Sequence, residues 1–186
     1  MQPIKRYFMR RFGGKRATLR HLRNLAAYHV GRFRRHVRLD ASRIERVVFV
    51  CKGNICRSAY ANAVANSLGM RAASFGLDTP GDETADPIAM RNAQARGITL
   101  ETHRTTSSRT FQLEPTDLLI AMEPEQARAL EALDGLHQVT LLGLWSTPRR
   151  PFIQDPYARD DAYFQTCFAV IESGVKGLHR FLESRR

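Results

Sequence analysis

Two short segments carry side chains whose types and spacing suit phosphate chemistry. The first reads Cys51-Lys52-Gly53-Asn54-Ile55-Cys56-Arg57-Ser58. Five residues separate Cys51 from Arg57, so the backbone between them can curl into a cradle whose N–H groups converge on one anion. A helix starting at the far end adds its positive dipole. Thiols beside a helix N-terminus and a guanidinium ionise readily, and a thiolate attacks phosphorus directly. Arg57 would grip two phosphoryl oxygens in bidentate fashion and hold the charge of the transition state. Gly53 permits close backbone approach, and Asn54 tolerates the left-handed conformation a tight loop demands. The predicted anion-binding residues are Lys52, Gly53, Asn54, Ile55, Cys56, Arg57 and Ser58.

The second segment is Asp155-Pro156-Tyr157, in a stretch rich in Pro, Arg and Asp that reads as a loop. A leaving oxygen needs a proton, which a protonated carboxyl supplies. Pro156 biases Asp155 toward an extended backbone and so helps fix where its side chain points. Alone, either motif is weak. Cys-x5-Arg is compatible with an ordinary buried cysteine and a solvated arginine, and Asp-Pro with a plain turn.

Context raises their weight. The continuous run Val47-Val48-Phe49-Val50 reads as a strand buried on both faces. It leads directly into Cys51, and an Ala-rich stretch from Ala59 to Leu68 then favours a helix closed by Gly69. The alternation continues with a strand over Arg71–Phe75, a helix over Pro87–Arg96 closed by Gly97, and a strand over Asp117–Met122. A helix over Pro124–Leu133 closed by Gly135 and a strand over Val139–Leu142 follow. The last helix, Asp160–Glu183, has Phe164, Phe168, Ile171, Val175, Leu178 and Leu182 at helical spacing. These elements predict an α/β fold: a four-stranded parallel sheet with helices on both faces and right-handed crossovers. Ligands of such sheets lie beyond the carboxyl ends of the strands, where the Cys51 loop falls.

Composition is that of one globular domain: 186 residues, 43% apolar and 25% charged. Cys51, Cys56 and Cys167 are too few for a disulfide framework, and no second Cys or His pair completes a zinc site, so no metal is expected and a reducing compartment is. The absence of an apolar run long enough to span a bilayer, and of a secretory signal, predicts a cytoplasmic location. Charge is uneven: residues 1–39 hold 12 Lys or Arg and no Asp or Glu, whereas residues 40–186 hold 17 basic and 18 acidic residues.

The run Val50 to Ser58, with Asp155-Pro156-Tyr157 near the end, resembles the low-molecular-weight protein tyrosine phosphatase family, and the similarity extends from about Arg46 to the C-terminus. The resemblance implies a phosphatase with Cys51 as nucleophile, Arg57 as phosphoryl clamp and Asp155 as acid, then base. It further implies that Asn54, Ser58, Ser74 and His103 support the loop, that Cys56 can form a protective disulfide with Cys51, and that no cofactor is needed. The implied partner is a tyrosine-phosphorylated protein, bacterial tyrosine kinases being one such class. Lys52 and Ala59 depart from the commoner residues of the family; Tyr157 offers a stacking face for a substrate ring. Arsenate reduction and phosphoarginine hydrolysis share the fold. The first needs relay cysteines, for which only Cys167 remains; the second pairs with a Thr where Ile55 stands. A non-catalytic anion-binding module is the alternative from another class.

Residues 1–45 lie outside the resemblance as a basic extension to the phosphatase-like domain of 46–186. Over 17–38, Leu19, Leu22, Leu25, Ala26, Val30, Phe33 and Val37 recur at helical spacing among arginines, predicting a basic amphipathic helix. Such a helix suits an anionic membrane surface at the cell periphery, an acidic partner such as nucleic acid, targeting, or simple packing against the domain.

Overall fold

The computed structural model describes residues 3–133 and 136–185. The valine run forms β1 (Arg46–Cys51), and its side chains alternate between two cores as the pleat requires. Val47, Phe49 and Cys51 enter one core, Val48 and Val50 the other. β3 (Asp117–Ala121) repeats the pattern, with Leu118 and Ile120 on the first side and Leu119 and Ala121 on the second. With β2 (Ala72–Gly76) and β4 (Gln138–Leu141) they make an all-parallel sheet in the order β2-β1-β3-β4.

Helices cover both faces, as expected of a parallel sheet. α4 (Arg57–Ser67), α5 (Pro87–Gln94) and α7 (Asp161–Glu183) close the first core. The six apolar positions expected to face inward on the last helix are all buried. α6 (Pro124–Glu131) closes the second core through Ala127 and Leu130, ending short of Leu133. Its expected cap, Gly135, lies outside the described residues.

The order of the sheet fixes where the site lies. From β1 the chain steps outward to β2, then crosses back to β3 on the other side of β1, so the crossovers diverge between β1 and β3. The carboxyl ends of these neighbours open a crevice there. Cys51 ends β1, and Glu123 follows β3.

The single helix expected over 17–38 is broken. α2 (Lys15–His29) and α3 (Arg34–Val37) replace it, and a further helix, α1 (Pro3–Phe12), precedes them. Gly13, Gly14 and Gly31 adopt φ of 80, 119 and 80°, a region that L side chains rarely enter, and the helix stops at each break. Along α2 much of the apolar stripe faces outward. Ala17, His21 and Asn24 are buried there, whereas Leu19 and Leu22, and Val30 just beyond the helix, are 70, 54 and 75% exposed. Between the extension and the domain, three arginines stack on rings, of which only Arg150 is buried. Arg20 lies over Phe152, Arg149 over Tyr28 and Arg150 over Phe12, at 5.3, 5.4 and 5.2 Å from the ring centroids. Phe33, by contrast, joins the second core, and the buried His36 ring lies 3.0 Å from the Val139 carbonyl.

Candidate active site

Cys51 leaves the sheet where β1 ends, and α4 begins at Arg57 with Cys56 as its N-cap. The loop between is pinned from both sides. Leu77 N–H donates to the Cys51 carbonyl at 3.0 Å, Asp78 N–H to Lys52 at 2.9 Å and Asp86 N–H to Ile55 at 3.0 Å. Asn54 has φ of 57°, the left-handed conformation expected of it, and is fully buried. Its side-chain amide donates to Ser58 Oγ at 2.8 Å and Ser74 Oγ at 2.9 Å, while its carbonyl oxygen Oδ1 accepts from Thr106 N–H at 3.0 Å. His103 Nε2 lies 2.7 Å from the Asn54 main-chain carbonyl. Burial is the main cause holding the His103 imidazole below its ordinary range, opposed by that hydrogen bond and assisted by Arg104. The contact requires a proton on Nε2, which donates to the carbonyl, and burial favours the neutral ring. All four residues assigned to loop support therefore meet around one turn of backbone.

At the centre, Cys51 Sγ sits 3.0 Å from Ser58 Oγ and accepts from Asn54 N–H at 3.3 Å. Among the described residues, no hydrogen bond within the chain occupies the backbone N–H groups of Gly53, Ile55 or Cys56. Arg57 is wholly buried. Its Nη1 donates to Glu123 at 2.5 Å and to the Ile153 carbonyl at 2.9 Å, and its Nη2 to Asp155 Oδ2 at 2.7 Å. Its Nε is a buried donor without a partner. Burial alone would lower the guanidinium, but Asp155, Cys51 and Glu123 together raise it, so it stays charged. A buried cation with an unused donor, beside three unused amide N–H groups, is built to receive an anion with several oxygens.

Asp155 and Tyr157 form the opposite wall. They share a cleft of about 250 Å³ with Cys51, Lys52, Gly53, Ile55, Cys56 and Asp78. Lys52 stands at the rim, its Nζ 3.5 Å from Asp78. Asp155 Oδ1 accepts from Tyr157 N–H at 3.2 Å, and Oδ2 faces Arg57. Cys56 lies beneath the loop, where burial first, then Asp86 and Asp155, pushes its thiol well above the usual range. The three cysteines are unbridged. Cys167 is core, its thiol pushed up to about 12 by burial. Trp145 also packs, donating to Thr140 Oγ1 at 2.9 Å and resting on Phe181.

Three contributors carry no signal in a linear motif. Glu123 reaches Arg57 because β3 lies beside β1. Gly76 ends β2 beneath the loop: a Cβ there would stand 2.9 Å from the Lys52 carbonyl oxygen, 3.0 Å from the Gly53 carbonyl carbon and 2.7 Å from Thr79 Cγ2. Gly76→Ala is therefore expected to push the cradle outward, costing roughly 1–3 kcal/mol of stability and lowering kcat/KM about tenfold or more, since a displacement near 1 Å is felt that strongly. Thermal unfolding and steady-state hydrolysis of an aryl phosphate check it; wild-type values in both would contradict the packing argument.

The third contributor is the N-terminal extension. Arg150 Nη1 donates to the Arg11 carbonyl at 2.9 Å, and the Gly13 turn fits so closely that a Cβ would meet Gln154 Cγ and Tyr163 Cζ at 3.0 Å each. α1 and α2 thus brace the strand of chain that delivers Asp155.

Comparison with known proteins agrees with this geometry. Residues 46–186 match the family model described as low molecular weight phosphotyrosine protein phosphatase. Low molecular weight protein-tyrosine phosphatase A of Mycobacterium bovis is 33% identical over 153 residues, covering 75% of this chain and 92% of the relative. The crystal structure of the tyrosine phosphatase Wzb from Escherichia coli K30 in complex with sulphate superposes with a TM-score of 0.64 at 27% identity, over 76% of this chain and 98% of that one. The YwlE arginine phosphatase from Geobacillus stearothermophilus shares the fold, with a TM-score of 0.66 at 19% identity over 75% of this chain and 94% of that one. A cysteine-arginine cradle at the β1/β3 crevice, an aspartate across it and a family match over the whole domain agree: the chain belongs to the low molecular weight phosphotyrosine protein phosphatase family.

Proposed function

We propose that this hydrolase cleaves phosphotyrosine in a protein partner through a phosphocysteine at Cys51. One observation carries the reading: the thiol shares a single cleft with three unoccupied amide donors and the Asp155 carboxyl, and the buried Arg57 that binds Asp155 keeps an unpartnered Nε. In the first step the Cys51 thiolate attacks phosphorus, the S–P bond forms and the P–O bond to the phenol breaks. The protonated Asp155 carboxyl gives its proton to the departing phenolate oxygen. In the second, the Asp155 carboxylate takes a proton from water, whose oxygen attacks phosphorus and releases the thiolate. The cradle N–H groups and Arg57 hold the equatorial charge in both steps. Sulphate held by the related Wzb protein is an anion of the shape this cradle suits.

Tyrosine rather than arginine is favoured by what lines the cleft. Ile55 and Tyr157 offer an apolar side chain and an aromatic face to a phenyl ring. Arsenate reduction is not proposed, because Cys167 is buried in the core. Phosphotyrosyl and phosphoarginyl peptides of one sequence separate the readings. A kcat/KM at least about tenfold higher for the first is expected, and the reverse order would overturn the assignment. Asp155→Asn should lower kcat/KM for the phosphotyrosyl peptide, which reports only the step that expels the phenol, by roughly 10²- to 10⁴-fold, and by less for an aryl phosphate whose phenolate leaves unaided. An equal loss on both substrates would remove Asp155 from the acid role.

A further inference from the structure

The outer face of α2 answers to nothing in the phosphatase chemistry. Leu19, Leu22 and Ala26, with Val30 at the helix end, recur three and four residues apart and so share one side of the helix. All four are exposed. Lys15, Arg16, Arg20 and Arg23 flank them, and Tyr7 of α1 adds an exposed ring at 58%. At the Val30 end the stripe runs into an open cleft of about 770 Å³, lined among others by Arg23, Arg32, Arg35 and Arg128. Arg35 and Arg128 are tied to Glu131 and Glu125 at 2.7 and 3.4 Å. Among the described residues Arg23 and Arg32 have no ion-pair partner, and the cleft also holds Glu125 and His36.

We infer that this face docks on an anionic lipid bilayer, with Leu19, Leu22 and Val30 entering the interface and the surrounding arginines meeting lipid phosphates. Charge complementarity selects the occupant: 12 basic and no acidic residues in 1–39 attract a negative surface. The apolar stripe selects a bilayer over a nucleic acid. A phosphate backbone is met by cations alone, whereas an interfacial helix pairs cations with side chains that leave water. No helix among the described residues is long and apolar enough to cross a membrane, so the attachment is peripheral. Because the α1–α2 turn abuts Gln154, the docked face and the acid-bearing segment belong to one packed unit.

The full chain is co-sedimented with vesicles of phosphatidylcholine alone and of equal parts phosphatidylcholine and phosphatidylglycerol, over a range of salt. Binding to the mixed vesicles is expected, at least about tenfold weaker on phosphatidylcholine and fading with salt. L19S/L22S keeps every charge and changes only exposed positions. It should weaken vesicle binding by about tenfold or more while turnover of a soluble aryl phosphate stays at the parent value. R23Q/R32Q should weaken binding to a similar extent, because each cation near a charged bilayer counts for severalfold. Equal binding to both vesicles, no binding at low salt, or mixed-vesicle binding indifferent to L19S/L22S would each overturn the inference. So would tighter binding to short duplex DNA that is unchanged by L19S/L22S, which would assign the face to nucleic acid.

Discussion

Cys51→Ser should lose at least about 10⁴-fold in turnover of any phosphate monoester while remaining folded. The substitution keeps a polar atom where Ser58 Oγ and Asn54 N–H already meet Cys51 Sγ, so the buried network stays satisfied. What it loses is the nucleophile's acidity. A serine hydroxyl needs an adjacent base to become reactive. Here its described hydrogen-bond neighbours are a hydroxyl and an amide N–H, neither of which takes a proton at neutral pH. Steady-state hydrolysis, with titration of inorganic phosphate to show an intact cradle, checks both halves. Retained turnover would mean that another group attacks phosphorus.

Arg57→Lys should lower kcat/KM by roughly 10³-fold, although the charge is kept. The guanidinium spans Glu123, the Ile153 carbonyl and Asp155 with its two terminal nitrogens and leaves Nε free for substrate. A single ammonium cannot occupy those directions at once, and its charge would sit with the carboxylates instead of the phosphoryl group. Arg57→Ala goes further. Glu123 and Asp155 would then face each other without the cation between them, in a site where Arg57 itself is wholly buried. Removing one partner of such an arrangement costs roughly 3–5 kcal/mol. Thermal unfolding should therefore separate the two variants, with Arg57→Lys the more stable, while both are catalytically crippled. An Arg57→Lys enzyme with near-parental kcat/KM would show that the planar fork is not what binds the phosphoryl group.

These expectations trace how far the residues could be read in advance. Strand, loop and helix around Cys51 were legible because each signal is local: a β-branched run, a Gly-Asn turn and an Ala-rich stretch follow in order within about two dozen residues. The sheet followed from alternation alone. Ser74 and His103 came from resemblance, and the hydrogen bonds now give the reason, since both act on Asn54. Glu123 and Gly76 were not legible. Their roles exist only because β1 lies between β2 and β3, which no spacing along the chain records.

The N-terminal segment failed differently. Its apolar spacing was read as one basic amphipathic helix with the covering of its apolar face left open, because periodicity fixes a face and not its direction, and Gly31 interrupts the pattern without disturbing the spacing. Ala17, His21 and Asn24 took the inner side of α2, with arginines stacked on Phe12, Tyr28 and Phe152 along the seam, and pairings between such distant residues leave no period in the sequence.

The central claim is the covalent intermediate. Asp155→Asn, slowed in the step that releases phosphate because it lacks the carboxylate that takes the proton from water, is mixed with an aryl phosphate bearing a good leaving group. It is then quenched within one turnover and digested, and the peptide containing Cys51 is examined by mass spectrometry. The account predicts phosphate on Cys51, lost in Cys51→Ala, together with a burst of phenol equal to the enzyme present. Phosphate on another residue, or phenol release with no burst and no phosphopeptide, would contradict it.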